Sequence, residues 1–149
     1  MEWDLDFRTL DKLSAAEAAN SINAQYFPGL LGIHFLEISA EAATAEMEVR
    51  PDLLQPVGVL HGGALTTLAD TTCALVALAN LAEPHKEHIL TSELKIHFLG
   101  NVGAGKIRAE ARPVQVGRRL QVIECRIFSD TGKLLCLMTC TQITGNFIK

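Results

Sequence analysis

The stretch Val59-Leu60-His61-Gly62-Gly63-Ala64-Leu65-Thr66-Thr67-Leu68-Ala69-Asp70 runs on through Ala and Leu to Ala82, and it sets what the rest of the chain must do. From Gly63 to Leu81 the segment is rich in Ala and Leu, with no Pro and no further Gly. It is apolar on almost every face, the pattern of a helix buried on most sides. Asp70 is the only charged residue between His61 and Ala82. A carboxylate there, with Thr66, Thr67, Thr71 and Thr72, argues against a membrane span over Ala64–Ala82, because a charge at mid-bilayer is costly. The helix must instead be covered by protein.

The residues downstream supply the cover. Leu90–Leu99 places Ser92, Leu94, Ile96 and Phe98 on one face and Glu93, Lys95 and His97 on the other. Lys106–Val116 alternates Ile107, Ala109 and Ala111 with Arg108, Glu110 and Arg112, and Pro113 predicts a bulge or an edge. Gly117-Arg118 turns, Leu120–Phe128 is a strand, Asp130-Thr131-Gly132 is a hairpin turn, and Lys133–Gly145 closes the set. Short connections predict four consecutive strands that are antiparallel neighbours.

Upstream, Leu10–Gln25 predicts a helix, with Ser14 and Glu17 as a capping box and with Pro28-Gly29 ending the segment. Ile33–Val49 predicts strand, interrupted at Ser39–Ala42, and Pro51–Val59 predicts a loop. The expected architecture is α+β: a long central helix wrapped by a strongly curved antiparallel sheet. It occupies residues 1–149 as a single domain, with 1–29 as an N-terminal helical extension.

Composition narrows the function classes. Apolar residues make up 48% and charged residues 20%, as in soluble globular chains. The net charge of −4 argues against a nucleic-acid partner. Met1-Glu2-Trp3-Asp4 opens without the basic and apolar segments of a signal peptide, and a cytoplasmic location is expected. Cys73, Cys125, Cys136 and Cys140 lie in apolar runs and form no Cys-x-x-Cys pair. They read as reduced, buried thiols. His34, His85, His88 and His97 have no ligand spacing, so no metal site is expected.

The chemistry centres on the quoted stretch. Gly62 and Gly63 let a ligand approach main-chain N–H groups that have no helical acceptor, and the positive helix end there suits a developing oxyanion. Alone, such a pair is better explained by a tight turn into a helix. Asp70 shifts the balance. It is a poor helix former and costly to bury, and nothing local requires it. Gly62 and Asp70 are eight residues apart on one helix, so roughly 12 Å along its axis. One carbonyl carbon cannot lie about 3 Å from both. If both act on one substrate they come from different chains, which predicts a homodimer with shared sites.

His61-Gly62-Gly63, then Asp70, is similar to the signature of hotdog-fold acyl-CoA thioesterases, specifically the phenylacetate-pathway type. The resemblance extends from Leu30-Leu31-Gly32 to Thr144-Gly145 and takes in Gly117-Arg118-Arg119. It implies hydrolysis of acyl-CoA, with coenzyme A as part of the substrate and no bound cofactor or metal. It implies that the Gly62 N–H polarises the thioester carbonyl beside His61, with Gly63 against the substrate. Asp70 is then nucleophile or general base, Gln55 positions the water or carboxylate, and Thr91 orients the lytic water. Ala74 stands where many relatives carry Ser or Thr. Arg118 and Arg119 resemble residues that meet coenzyme A phosphates, a role that suits the guanidinium. Aromatic acyl groups are favoured by the likeness alone, and dimers pairing into a homotetramer are expected. Two other functions are kept. One is a hotdog dehydratase or hydratase, since Tyr26-Phe27-Pro28-Gly29 is similar to a His-Phe-Pro loop with Tyr in place of His. The other is a non-catalytic acyl-binding module.

Overall fold

The computed structural model describes residues 13–84 and 86–147. The expected helix start at Leu10–Lys12, the N-terminal Met1–Asp4 and His85 lie outside these residues. The elements are α1 (Ala15–Asn23), α2 (Phe27–Leu31), β1 (His34–Ile38), β2 (Ala43–Glu48), a 3-10 turn (Pro51–Leu53), α3 (Gly62–Ala79), β3 (His88–Phe98), β4 (Lys106–Val116), β5 (Leu120–Ser129) and β6 (Leu134–Gly145).

The capping box forms as the sequence predicts. Ser14 Oγ accepts from the Glu17 N–H at 3.3 Å, and the Ser14 N–H donates to Glu17 Oε2 at 2.7 Å. Asn20 then ties α1 to β1, its amide oxygen accepting from the Phe35 N–H and its Nδ2 donating to the Phe35 carbonyl, both at 2.8 Å. Pro28 does not end the helical segment; it opens α2. Proline is favoured in a helix's first turn because its missing N–H has no helical acceptor there. Gly32 closes α2 with φ 76°, a left-handed conformation that costs glycine least.

The six strands form one antiparallel sheet in the order β1-β2-β4-β5-β6-β3. This corrects the expectation of four consecutive neighbours, because β3 pairs with β6 and not with β4. The link after β3 is not a hairpin. Leu60 N–H donates to the Val102 carbonyl at 2.8 Å, so the link is stitched to the chain entering α3 while it crosses the ends of β5 and β6. The bulge expected at Pro113 is present as a register shift between Pro113 and Gln115.

Helix α3 lies across this sheet. Its buried residues, Ala64, Leu65, Leu68, Ala69, Cys73, Leu75, Val76 and Ala77, meet Met47, Ile107, Ala109, Ile123, Ile127 and Met138, all nearly inaccessible. Burial of these side chains contributes on the order of 1.5–3 kcal/mol for each large one. The helix is less enclosed than its composition predicts. Gly63 is exposed, and Thr66, Thr67, Asp70, Thr71 and Ala74 are only half-buried. The physical reason is that the sheet wraps one side of the helix, and among the described residues the half-buried positions on its other side are left partly open. Among the described residues α3 alone has the length and apolar character to cross a membrane, and half of it is buried in the core.

Candidate active site

His61 caps α3. Its Nδ1 accepts from the Gly63 N–H at 2.8 Å, so the ring proton of the neutral imidazole sits on Nε2, and the residue is exposed. The His61 carbonyl takes the Ala64 and Leu65 N–H groups. The Gly62 N–H is left with no acceptor among the described residues, at the positive end of the helix. The two glycines differ in how tightly they are enclosed. A Cβ on Gly63 would lie 2.9 Å from His61 Nδ1, and one on Gly62 would lie 3.1 Å from the ring of Phe98. Phe98, at the end of β3, is 53% exposed and covers Gly62 without sealing it. Gln55 belongs to the same corner, with Nε2 pointing at the Leu60 carbonyl at 3.5 Å and its main chain held by Val59.

Asp70 lies two turns further along the same unbroken helix, and the sheet's inner face meets it with side chains. The Thr91 hydroxyl donates to Asp70 Oδ1 at 2.9 Å, and the Cys140 thiol approaches the same oxygen at 3.6 Å. Asp70 Oδ2 has no hydrogen-bond partner among the described residues. Behind Thr91 stands Gln142, fully buried, whose Nε2 donates to Thr91 Oγ1 at 2.9 Å and reaches Cys140 Sγ at 3.0 Å. The sequence expectation of a buried carboxylate is corrected to a half-buried one. Thr91 touches the carboxylate directly.

Gln142 and Cys140 were not among the candidates from sequence. Cys140 read as a core thiol, which its full burial agrees with, but it also touches the acid. Gln142 carries a signal in retrospect. It follows Cys136, Met138 and Cys140 on the inward face of β6, where the alternation calls for another apolar residue.

The remaining candidates are elsewhere. Arg118 and Arg119 occupy the β4–β5 turn, both exposed and paired with no carboxylate among the described residues. Arg118 lines a cavity of about 360 Å³ at the far end of α3, together with Asn80, Glu83, Glu87, Gln121 and Thr144. Three places on one helix thus carry the candidate residues: its start, its middle and its end. Apart from the His61–Gly63 cap, among the described residues only Thr91 and Asp70 of these candidates touch through a hydrogen bond.

The thiols are all free. Burial pushes the Cys136 thiol up to about 12, with the neighbouring Cys125 adding to the rise. Hydrogen bonds to Cys125 and Cys140 hold the Cys73 thiol well above its ordinary range, and burial adds to this. Neither is a nucleophile at neutral pH, since the thiolate is the reactive form.

Comparison with known proteins identifies the family of the fold. Residues 57–136 match the family model described as the thioesterase superfamily. The chain is 32% identical over 111 residues to a 1,4-dihydroxy-2-naphthoyl-CoA hydrolase of Listeria monocytogenes, covering 74% of this chain and 89% of that one. A solved thioesterase from Haemophilus influenzae superposes with a TM-score of 0.84 at 29% identity, over 93% of this chain and 95% of the other. The phenylacetic acid degradation protein PaaI of Thermus thermophilus, solved as a mutant, superposes at 0.71 with 30% identity, over 78% and 96%. The chain belongs to the thioesterase superfamily and is a hotdog-fold thioester hydrolase.

Proposed function

We propose that the protein hydrolyses aryl-acyl-CoA thioesters to free acid and coenzyme A, with each active site assembled from two copies of the chain. The observation that carries this is the pairing of an unpartnered Gly62 N–H with an Asp70 carboxylate that has one oxygen fixed and one free. The Gly62 N–H, backed by the helix dipole and by the nearby Nε2–H of His61, stabilises charge on the thioester oxygen. Oδ2 of Asp70 attacks the carbonyl carbon or takes a proton from the attacking water, while Thr91 holds Oδ1. Gln55, beside the helix start, orients the water or the carboxylate.

If Gly62 and Asp70 act on one carbonyl, the roughly 12 Å between them along α3 calls for a second copy. Strand β3 supports that assembly. It is an eleven-residue edge strand, and Leu90, Leu94 and Phe98 on it and Leu99 just beyond are 37–54% exposed. A long unpaired edge with exposed apolar side chains is a template for pairing with another chain. Joined there, the open faces of two α3 helices would confront each other. Coenzyme A is long, so its phosphates lie far from the scissile bond, where the exposed Arg118 and Arg119 suit them. The acyl preference rests on the relatives named for naphthoyl and phenylacetic substrates.

The test is a free-thiol release assay over aryl, short-chain and long-chain acyl-CoAs, run on wild type and Asp70→Asn. Fastest turnover on the aryl substrates, lost in the variant while substrate still binds, is the expected result. Equal rates for the two proteins would remove Asp70 from the chemistry.

A further inference from the structure

We infer that Gln142 is a positioning residue for hydrolysis, one that sets the direction of every hydrogen bond reaching Asp70. The inference rests on the reading of Asp70 as the reacting carboxylate. Gln142 has no exposed surface, and its amide nitrogen reaches two acceptors, Thr91 Oγ1 at 2.9 Å and Cys140 Sγ at 3.0 Å. Those are the two groups that in turn point at Asp70 Oδ1. The four side chains close a ring.

The donor count fixes the ring's polarity. A primary amide nitrogen carries two hydrogens, a hydroxyl one and a thiol one. With one amide hydrogen directed to Thr91 and the other to Cys140, each of these groups has its single hydrogen left, and each turns it to Oδ1. With the amide reversed, Thr91 and Cys140 would donate to the Gln142 oxygen instead, and Oδ1 would lose both donors. Reversal would also leave two buried N–H hydrogens without acceptors, where the present orientation leaves one amide oxygen, Oε1, unpartnered. Gln142 thus holds Thr91 as a donor to the carboxylate, keeps Oδ1 occupied and leaves Oδ2 as the reacting oxygen.

The same role does not extend to the facing residue. Gln121 opposes Gln142 across the β5–β6 ladder, but its Nε2 donates to the Ala77 carbonyl at 3.1 Å and so ties β5 to the end of α3.

Two substitutions of nearly equal size separate positioning from packing. Gln142→Met removes the donors, and Gln142→Glu reverses the polarity by offering only acceptors when ionised. Steady-state kinetics on the best acyl-CoA substrate, with thermal melts to verify folding, should show kcat falling roughly tenfold to a hundredfold in both, with KM within a factor of about two. Gln142→Met placed in a Thr91→Val background should add little to the Thr91→Val loss, because the two lie on one path. Thr91→Ser, which keeps the hydroxyl, should restore most of what Thr91→Val loses. Folded Gln142 variants with wild-type kcat, or losses that multiply in the double variant, would overturn the inference. If neither Gln142 variant folds, Thr91→Val combined with Cys140→Ala cuts both arms of the ring from the other side. Reduced kcat at unchanged KM supports the ring, and full activity overturns it. An active Asp70→Asn enzyme would sink the underlying reading, whereas an inactive one beside undamaged Gln142 variants would sink only this inference.

Discussion

At the start of α3 the available donor is main chain, the Gly62 N–H, held open by two glycines and a histidine that follow one another in sequence. Two turns along, Asp70 is held by side chains alone, from Thr91 and Cys140, which lie 21 and 70 positions later in the chain. The first arrangement is local and needs only a helix to exist. The second needs the whole sheet folded, with β3 returned to pair with β6 so that Thr91 and Gln142 sit side by side in register. A donor of main chain cannot be removed by truncating a side chain, whereas the acid and its supports can each be cut singly. The two halves can therefore be broken separately.

The largest loss is expected at the acid. Asp70→Asn keeps the shape and the Thr91 contact but removes the charge and the basic oxygen, so kcat should fall about 10³-fold. Substrate binding, followed by calorimetry with a non-hydrolysable thioether analogue, should stay within a few-fold of wild type. A loss of binding equal to the loss of rate would make Asp70 a binding group.

The helix start should fall by roughly 10²–10³ in kcat when its donor is deleted, the range seen for single oxyanion donors. Gly62→Pro deletes that N–H and adds a ring beside Phe98. Proline is well accepted at the first helical position, and His61 already has the extended backbone, φ −67° and ψ 135°, that precedes a proline comfortably. Phe98 must shift slightly, which its exposure permits. An unchanged melting temperature with wild-type turnover would take the oxyanion role from Gly62.

The contrast explains what could be read from sequence. His61-Gly62-Gly63 and Asp70 stand within ten residues, so helix geometry alone relates them and yields their separation. Thr91 was reachable by resemblance. Gln142 was not, because its meaning depends on strand order, and short connections wrongly predicted β3 beside β4. The strand β4 was legible because Ile107, Ala109 and Ala111 alternate with Arg108, Glu110 and Arg112, and β6 because the Asp130-Thr131-Gly132 turn marks where it begins. Helix α3 was overread as enclosed, since an apolar composition does not say whether sheet or a second chain covers the outer face.

If the two halves meet only between copies, mixing should restore what each variant lacks. Unfolding and refolding an equimolar mixture of Asp70→Asn and Gly62→Pro gives half heterodimers, each with one intact site of two. The mixture should then recover about a quarter of the wild-type rate. Recovery no greater than the sum of the two parents would place both groups of each site in one chain.

The smallest effect separates the thiol that touches the acid from those that do not. Cys136 and Cys73 keep their protons far above the ordinary thiol value of 9.0, the first chiefly through burial and the second chiefly through hydrogen bonds to other cysteines. A folded-state pKa above the unfolded one leaves stability unaffected while both states stay protonated. As pH rises past about 9 the unfolded thiols ionise and the folded ones do not, so stability drains away until about 12, where Cys136 itself ionises. Urea midpoints measured from pH 7 to 11 should therefore be flat and then decline. In Cys136→Ala the midpoint should start lower, from the lost packing, but decline less steeply. An identical slope in both proteins would mean that Cys136 ionises as readily folded as unfolded. Cys140→Ala should show its effect in kcat instead, because its thiol sits against Asp70 Oδ1.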